Sequence, residues 1–155
     1  MHFRVSALPA TLFEPLFGQS DEVLRLHGVV RRIAETTPGF PCRVSLRDAE
    51  PGEPVLLLNY EHLDADSPYR ARHAIYVREH ATRAMPAIDE VPESLRRRLL
   101  SVRAYDRDAM MVEAEIVEGT ALEPLLARQF ANPAVAFVHL HNARPGCYAA
   151  RVDRA

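Results

Sequence analysis

The most informative residues of the sequence are two histidines in an apolar run near its C-terminal end. His139 and His141 stand two positions apart in the segment from Phe137 to Asn142. Because side chains alternate along a strand, a β-conformation would place both imidazoles on one face, about 6 to 7 Å apart. Their ordinary pKa of about 6.5 suits them to acid and base roles or to metal ligation. The alternative is a pair of structural histidines bonded to neighbouring backbone.

A third imidazole stands at the start of another predicted strand. His73 follows a turn-like segment that contains Tyr69 and Arg70. Loops that a sheet holds in place often carry binding groups. We therefore predict catalytic roles for His73, His139 and His141, with the last two rings side by side in a solvent-reachable hollow. Solvated loop arginines are the alternative interpretation of the segment before His73.

Arginine is the residue that would pair with an anion, since all 19 Lys and Arg residues are arginine. A GC-rich genome could also explain this bias, but a guanidinium group binds carboxylate or phosphate in a bidentate way that an ammonium group cannot. Strand alternation places Arg151 on the same face as Cys147. The predicted ligand-binding residues are Arg43, Ser45, Tyr69, Arg70, Asn142, Cys147 and Arg151.

The two cysteines, Cys42 and Cys147, are too few for a disulfide scaffold, and their spacing matches no standard zinc motif. A tight last hairpin would bring Cys147 close to His141. A His/Cys metal site and a Cys–His nucleophile pair therefore remain alternatives. We predict no metal ligands from the sequence, and it identifies no cofactor.

Several function classes lack support in the sequence. It contains no Walker loop, GxGxxG, HExxH, GxSxG or CxxC motif. The formal net charge of −2 gives no field that would attract nucleic acid. No apolar run approaches the roughly 20 residues of a membrane helix, and the N-terminus lacks a secretory signal pattern. We expect a cytoplasmic protein without nucleic-acid or membrane partners.

The elements that must position these residues are short and separated by prolines, which predicts a single domain over residues 1–155. Strict alternation predicts a strand over Arg43–Arg47, paired with a return strand over 55–60. Further hairpins are predicted over 100–117, with Met110, Val112, Ala114 and Ile116 facing the core, and over 134–152. This pattern predicts an α+β fold, a largely antiparallel sheet built from hairpins with three or four short covering helices.

Four blocks of the sequence carry a family resemblance. They are PGFPCRVSLRD at 38–48, LLNYEH at 57–62, SPYR at 67–70 with HAI at 73–75, and HLHN at 139–142 with GCYAAR at 146–151. Over nearly its whole length the chain resembles a bacterial family known as domain of unknown function 1203. At the position of Phe40, the resemblance implies tyrosine as readily as phenylalanine. The resemblance implies a stand-alone bacterial domain of this length. It supplies no activity, so no residue role is carried over.

The functional hypothesis from the residues is a small anionic-ligand-binding protein or enzyme with a His/Arg pocket. Its reaction would be hydrolysis or transfer on a phosphate or carboxylate compound. One alternative is a non-catalytic interaction domain that forms a homodimer. Another is a His/Cys metal-binding protein.

Overall fold

Eight strands and three short helices make up the regular structure of the protein. A computed structural model describes residues 1–155. The strands are β1 (Phe3–Ser6), β2 (Val30–Ile33), β3 (Pro54–Leu63), β4 (Ala71–Arg78), β5 (Leu99–Tyr105), β6 (Met111–Glu118), β7 (Phe137–Asn142) and β8 (Tyr148–Arg154). The helices are α1 (Asp21–Leu26), α2 (Glu93–Arg96) and α3 (Leu122–Ala131). None of them has the length and apolar character needed to cross a bilayer.

The strands form two sheets, and every paired neighbour is antiparallel. The larger sheet has the order β1-β8-β7-β5-β6, and the smaller has the order β2-β3-β4. The predicted α+β class with a largely antiparallel arrangement is therefore confirmed. The predicted hairpins β5–β6 and β7–β8 are both present.

The larger sheet is covered on one face by α3. Strand alternation directs Leu100, Val102 and Leu140 to this face, where they join a core of 19 buried residues. Leu126 and Phe130 of α3 belong to the same core, as the helical spacing of apolar residues predicts. The residues at odd positions of β5 and β7 consequently lie on the opposite face of the sheet.

The smaller sheet has a core of its own. Leu56 and Leu58 of β3 pack with Ile75 and Val77 of β4 in a second buried cluster. Tyr148 of β8 belongs to this cluster, although its strand is part of the larger sheet. The inner face of the small sheet therefore meets the second face of the large sheet beside Tyr148.

The predicted strand over Arg43–Arg47 is wrong. These residues form a tight loop in which Leu46 has a φ of 50° and its N–H donates to the carbonyl of Cys42 at 3.0 Å. Isolated bridges join Pro41 to Asp48 and Cys42 to Tyr76 on either side of it. Leu46 is nevertheless buried, because the loop folds its apolar side chains inward.

The predicted orientation of β6 is reversed. Met110, Val112 and Ile116 are 41%, 39% and 60% exposed, whereas Met111 and Val117 pack against buried clusters. The register with β5 decides this, because Ile116 lies directly opposite Ser101 on the face that α3 does not cover. β6 is also an edge strand, so no further strand covers it.

Candidate functional site

His139 and His141 lie on the same face of β7, as the alternation predicts. Their ring centroids are 6.3 Å apart. Arg103 and Ser101 of β5 are their direct cross-strand partners and therefore share this face. The prediction that the two rings face an open hollow is not met, since His139 is 2% exposed and His141 is completely buried.

Two further imidazoles come from the small sheet and close over this pair. His62 lies in a bulged part of β3, and His73 begins the inner face of β4. Their rings are stacked, with centroids 4.8 Å apart and planes 8° apart. The ring of His62 lies 5.3 Å from that of His139 and 4.9 Å from that of His141. We call His62, His73, His139 and His141 the histidine cluster.

Hydrogen bonds within the cluster leave several ring nitrogens without a protein partner. Nδ1 of His141 lies 3.0 Å from the carbonyl oxygen of Gly146, and Nδ1 of His62 lies 3.2 Å from Nδ1 of His139. The buried nitrogens without a partner are Nε2 of His62, Nδ1 of His73 and Nε2 of His141. Buried polar atoms are normally satisfied, so three unpartnered nitrogens in one cluster call for an explanation.

Burial keeps the cluster uncharged at neutral pH. Loss of solvation lowers the pKa of His139 to about 2, of His141 to about 3 and of His62 to about 4. The same cause lowers the pKa of His73. The charge of Arg103 acts in the same direction on all four rings. Neutral imidazoles with such low pKa values are poor general acids and bases at pH 7 but retain a lone pair for ligation.

A cavity of about 700 Å³ opens on the other side of His73. Its wall is made by the loop before β3, the edge of β4, the ends of β5 and β6, and the β7–β8 turn. Its arginines are Arg43, Arg97, Arg98 and Arg144, and Glu118 is its one acidic residue. We call this space the arginine-lined cavity. His73 is its only histidine.

Arg43 is the most unusual residue of the cavity wall, because its side chain is fully buried. Its Nε–H donates to the carbonyl of Tyr148 at 2.7 Å, and Nη1–H donates to the carbonyl of Pro41 at 2.5 Å. Nη2–H donates to Sγ of Cys147 at 3.0 Å. No carboxylate is among these partners. Burial lowers the pKa of Arg43, yet a guanidinium group remains charged in proteins.

The other arginines of the cavity differ in how far they are neutralised. Arg98 forms an ion pair with the buried carboxylate of Asp48 at 2.5 Å, and Arg97 pairs with Glu93 at 3.1 Å. Arg144 is exposed in the β7–β8 turn and takes part in none of the ion pairs of the molecule. The positive charge available to a ligand therefore comes from Arg43 and Arg144.

The structure brings only some of the predicted site residues together. Arg43, His73, Asn142 and Cys147 line the arginine-lined cavity. His139 and His141 lie in the histidine cluster instead. The remaining four predicted residues are not in the cavity wall. Ser45 lies in the loop after Arg43, and Tyr69 packs against Tyr105. Arg70 forms ion pairs with Glu61 and Asp64, and Arg151 forms one with Asp153.

Both cysteines are free thiols, and neither belongs to the group of histidines that could hold an ion. Sγ of Cys42 is buried and accepts from the backbone N–H of Ser45 and Arg78, at 3.4 Å and 3.2 Å. Cys147 is half-buried beside Arg43. The sulfur atoms thus hold local loops in place.

Three residues of the region were not predicted. His62 was not predicted because its contact in the site is with His139, which lies 77 residues away in the sequence. Arg103 and Arg144 carried no local signal beyond their charge. The pairing of β5 with β7, and the position of the β7–β8 turn, bring them to the site.

Comparison with known proteins places this fold and cavity in a family without an assigned function. Residues 39–154 match the model of the family described as Protein of unknown function (DUF1203). The chain belongs to that family, and the matched segment contains the whole histidine cluster and the whole arginine-lined cavity. No curated protein and no solved structure shows a significant match to the chain.

Proposed function

We propose that the protein binds a small anionic molecule, a carboxylate or a phosphate compound, in the arginine-lined cavity. The observation that carries the proposal is the buried guanidinium of Arg43, which lines the cavity and has no carboxylate partner. A buried charge is costly unless it is paired, and a bound anion would supply the missing partner.

The size and polarity of the cavity support the same conclusion. A volume of about 700 Å³ lies within the usual range for small-molecule sites. Three of the five N–H groups of Arg43 are used within the protein, so two remain for a ligand. Arg144 at the rim adds a second charge, and Oδ1 of Asn142 is a buried acceptor without a protein partner. A ligand that carries both an anionic group and a hydroxyl or amide donor fits these groups.

The geometry favours binding over acid–base catalysis by the predicted histidines. Neither His139 nor His141 lines the cavity, and burial holds the pKa of each far below 7. Hydrolysis or transfer on the bound compound would need another source of activation.

The test is a thermal-shift titration of the tag-free protein with inorganic phosphate and with succinate, in low salt with EDTA. A probe present at ten times its Kd raises the free energy of unfolding by about 1.4 kcal/mol, which raises the Tm of a chain of this size by about 3 to 6 °C. We expect Arg144→Ser to reduce this shift by weakening the anion contact at the rim.

The matched control is Arg107→Ser, because Arg107 is also an exposed turn arginine but lies in the β5–β6 turn at the far end of the sheet. This control should keep the full shift. The absence of a shift with either probe in the folded wild-type protein, or an equal loss in both variants, would contradict the proposal.

A homodimer is the second candidate function, because the exposed apolar side chains of β6 lie on an unpaired edge strand. Light scattering after size exclusion gives the mass directly. A dimer that Ile116→Lys converts to a monomer would support this function, and a monomeric wild-type protein would reject it.

A further inference from the structure

Three rings of the histidine cluster converge in the manner of a metal site. His62, His73 and His141 each contribute one nitrogen, and these nitrogens lie within 4.8 Å of one another. Two of the rings come from the small sheet and one from the large sheet, so the group exists only where the sheets meet. This arrangement is distinct from the arginines that we propose to hold an anion, although His73 also lines the arginine-lined cavity.

The hydrogen bond of His141 fixes which nitrogen is available. A carbonyl oxygen can only accept, so the Nδ1–H of His141 must donate to Gly146. A neutral ring then carries its lone pair on Nε2, and this atom is buried without a partner in a residue with no exposed surface. A bond from one ring nitrogen to a backbone carbonyl is the usual support of a metal-ligating histidine.

His139 provides the same kind of support for His62. Their Nδ1 atoms are 3.2 Å apart, so one must donate and the other accept. When His62 donates, its Nε2 carries a free lone pair, and this is again a buried atom without a partner. His139 thus orients a ligand without belonging to the converging group.

Aromatic packing brings the rings together before any ion binds. The ring of His62 is stacked between His73, at 4.8 Å, and Tyr148, at 5.1 Å. The N···N separation in a tetrahedral zinc site with Zn–N bonds of about 2.0 to 2.1 Å is roughly 3.3 Å. The lone pair of an imidazole lies in the ring plane, so the half-buried ring of His62 or His73 would turn out of the stack to bring the nitrogens from within 4.8 Å to this separation.

From this geometry we propose that His62, His73 and His141 form a binding site for a divalent transition-metal ion, with Zn²⁺ as its best fit. Imidazole nitrogen suits Zn²⁺, whereas Mg²⁺ and Ca²⁺ prefer oxygen ligands. The group contains no carboxylate or thiolate, so its neutral ligands would leave the bound ion its full positive charge, and the nearby charge of Arg103 would add to it. An anionic fourth ligand would balance that charge, and His73 also lines the arginine-lined cavity.

The test is a Co²⁺ titration of the full chain, purified without a tag and stripped with EDTA, followed by competition with Zn²⁺. Co²⁺ reports tetrahedral nitrogen coordination by intense visible absorption, and elemental analysis of the Zn²⁺-loaded protein gives the stoichiometry. We expect one ion per chain, visible absorption with Co²⁺, and its loss when Zn²⁺ is added. His73→Gln should weaken Zn²⁺ binding at least tenfold.

His27→Gln is the matched control, because His27 is exposed at the end of α1 and should not affect the ion. Since His141→Gln removes a buried side chain and could unfold the protein, His62→Gln serves as the second test of a ligand and should also weaken binding at least tenfold. Circular dichroism checks the fold of each variant. Failure of the folded wild-type protein to bind Co²⁺ or Zn²⁺, or unchanged affinity in both His73→Gln and His62→Gln, would overturn the proposal.

The metal proposal does not rest on the anion proposal, and different results would refute each of them. Anion shifts are measured in EDTA, so a phosphate or succinate shift without metal binding overturns only the metal site. Metal binding without any anion shift overturns only the anion site. Visible absorption of the Co²⁺ protein that changes on addition of succinate would support an anion as fourth ligand.

Discussion

The buried imidazoles make the stability of the metal-free protein depend on pH in a calculable way. Burial lowers the pKa of His139 to about 2 and of His141 to about 3, from an ordinary value of about 6.5. At pH 5 both rings are still neutral in the folded protein, whereas the unfolded chain has taken up a proton on each. Stability is therefore fully present above pH 6.5 and decreases as the pH falls below it.

The magnitude follows from the distance between pH 5 and the ordinary pKa. About 1.5 pH units at about 1.4 kcal/mol per unit gives roughly 2 kcal/mol for each ring and about 4 kcal/mol for the pair. The groups that act on these rings are His62 and His73 from the small sheet and Arg103 and Arg151 from the large sheet. All of these groups disfavour the charged form of the rings, whereas the carbonyl of Gly146 favours the charged form of His141.

The assay is urea unfolding by circular dichroism at pH 7 and pH 5, in EDTA. We expect the free energy of unfolding to be lower at pH 5 by at least about 4 kcal/mol, because the half-buried rings of His62 and His73, whose pKa values burial also lowers, add to the loss. His139→Asn should remove about 2 kcal/mol of this difference, because one titrating ring is lost, and His27→Gln should leave the difference nearly unchanged. Equal stability at the two pH values, or an unchanged difference in folded His139→Asn, would refute the assignment of two neutral buried rings.

Two further predictions concern residues next to the cavity wall, since Asp48 pairs with Arg98 and Gly119 follows Glu118. Asp48→Asn should reduce the free energy of unfolding by about 3 kcal/mol in urea titrations, because it leaves the guanidinium of Arg98 without its buried carboxylate partner. A loss below 1 kcal/mol would contradict this account of the ion pair. Gly119→Ala should lower the Tm, since an added Cβ would lie 1.9 Å from the carbonyl oxygen of Leu95, and Gly119→Ser should do the same. An unchanged Tm in both variants would show that the chain near Gly119 moves freely.

Local sequence patterns predicted the strands that carry the central histidines. Alternation over β7 places His139 and His141 on one face, and the structure has them there. Turn residues and alternating apolar positions also located the β5–β6 and β7–β8 hairpins. These features depend only on the two-residue period of a strand, which is visible in a short stretch of sequence.

The loop at Arg43–Arg47 shows where such patterns fail. Val44 and Leu46 are both buried, so the alternation is real, but a tight loop satisfies it as well as a strand does. The predicted orientation of β6 was wrong for a related reason. Apolar side chains occur at both even and odd positions of this strand, as at Ile116 and Val117. In such a strand the register with its neighbour decides the buried face, and register is a tertiary property.

The histidine cluster itself could be predicted only in part. Its two sheets meet through contacts between residues such as His62 and His139, which are 77 positions apart. No pattern within β3 indicates that its bulge will direct His62 toward β7. The burial of the cluster was missed for the same reason, since the small sheet that covers it is distant in sequence.

The central claim, an anion held by Arg43 and Arg144 in the arginine-lined cavity, is tested most directly by ¹H–¹⁵N correlation spectra during titrations with succinate and with inorganic phosphate in EDTA. The account predicts saturable shifts of the Arg43 Nε–H signal and of the backbone amides of the non-proline residues at 39–43 and 142–147, with the β5–β6 turn unaffected. A spectrum that does not change with either probe, or changes that spread over exposed arginines throughout the surface, would contradict it.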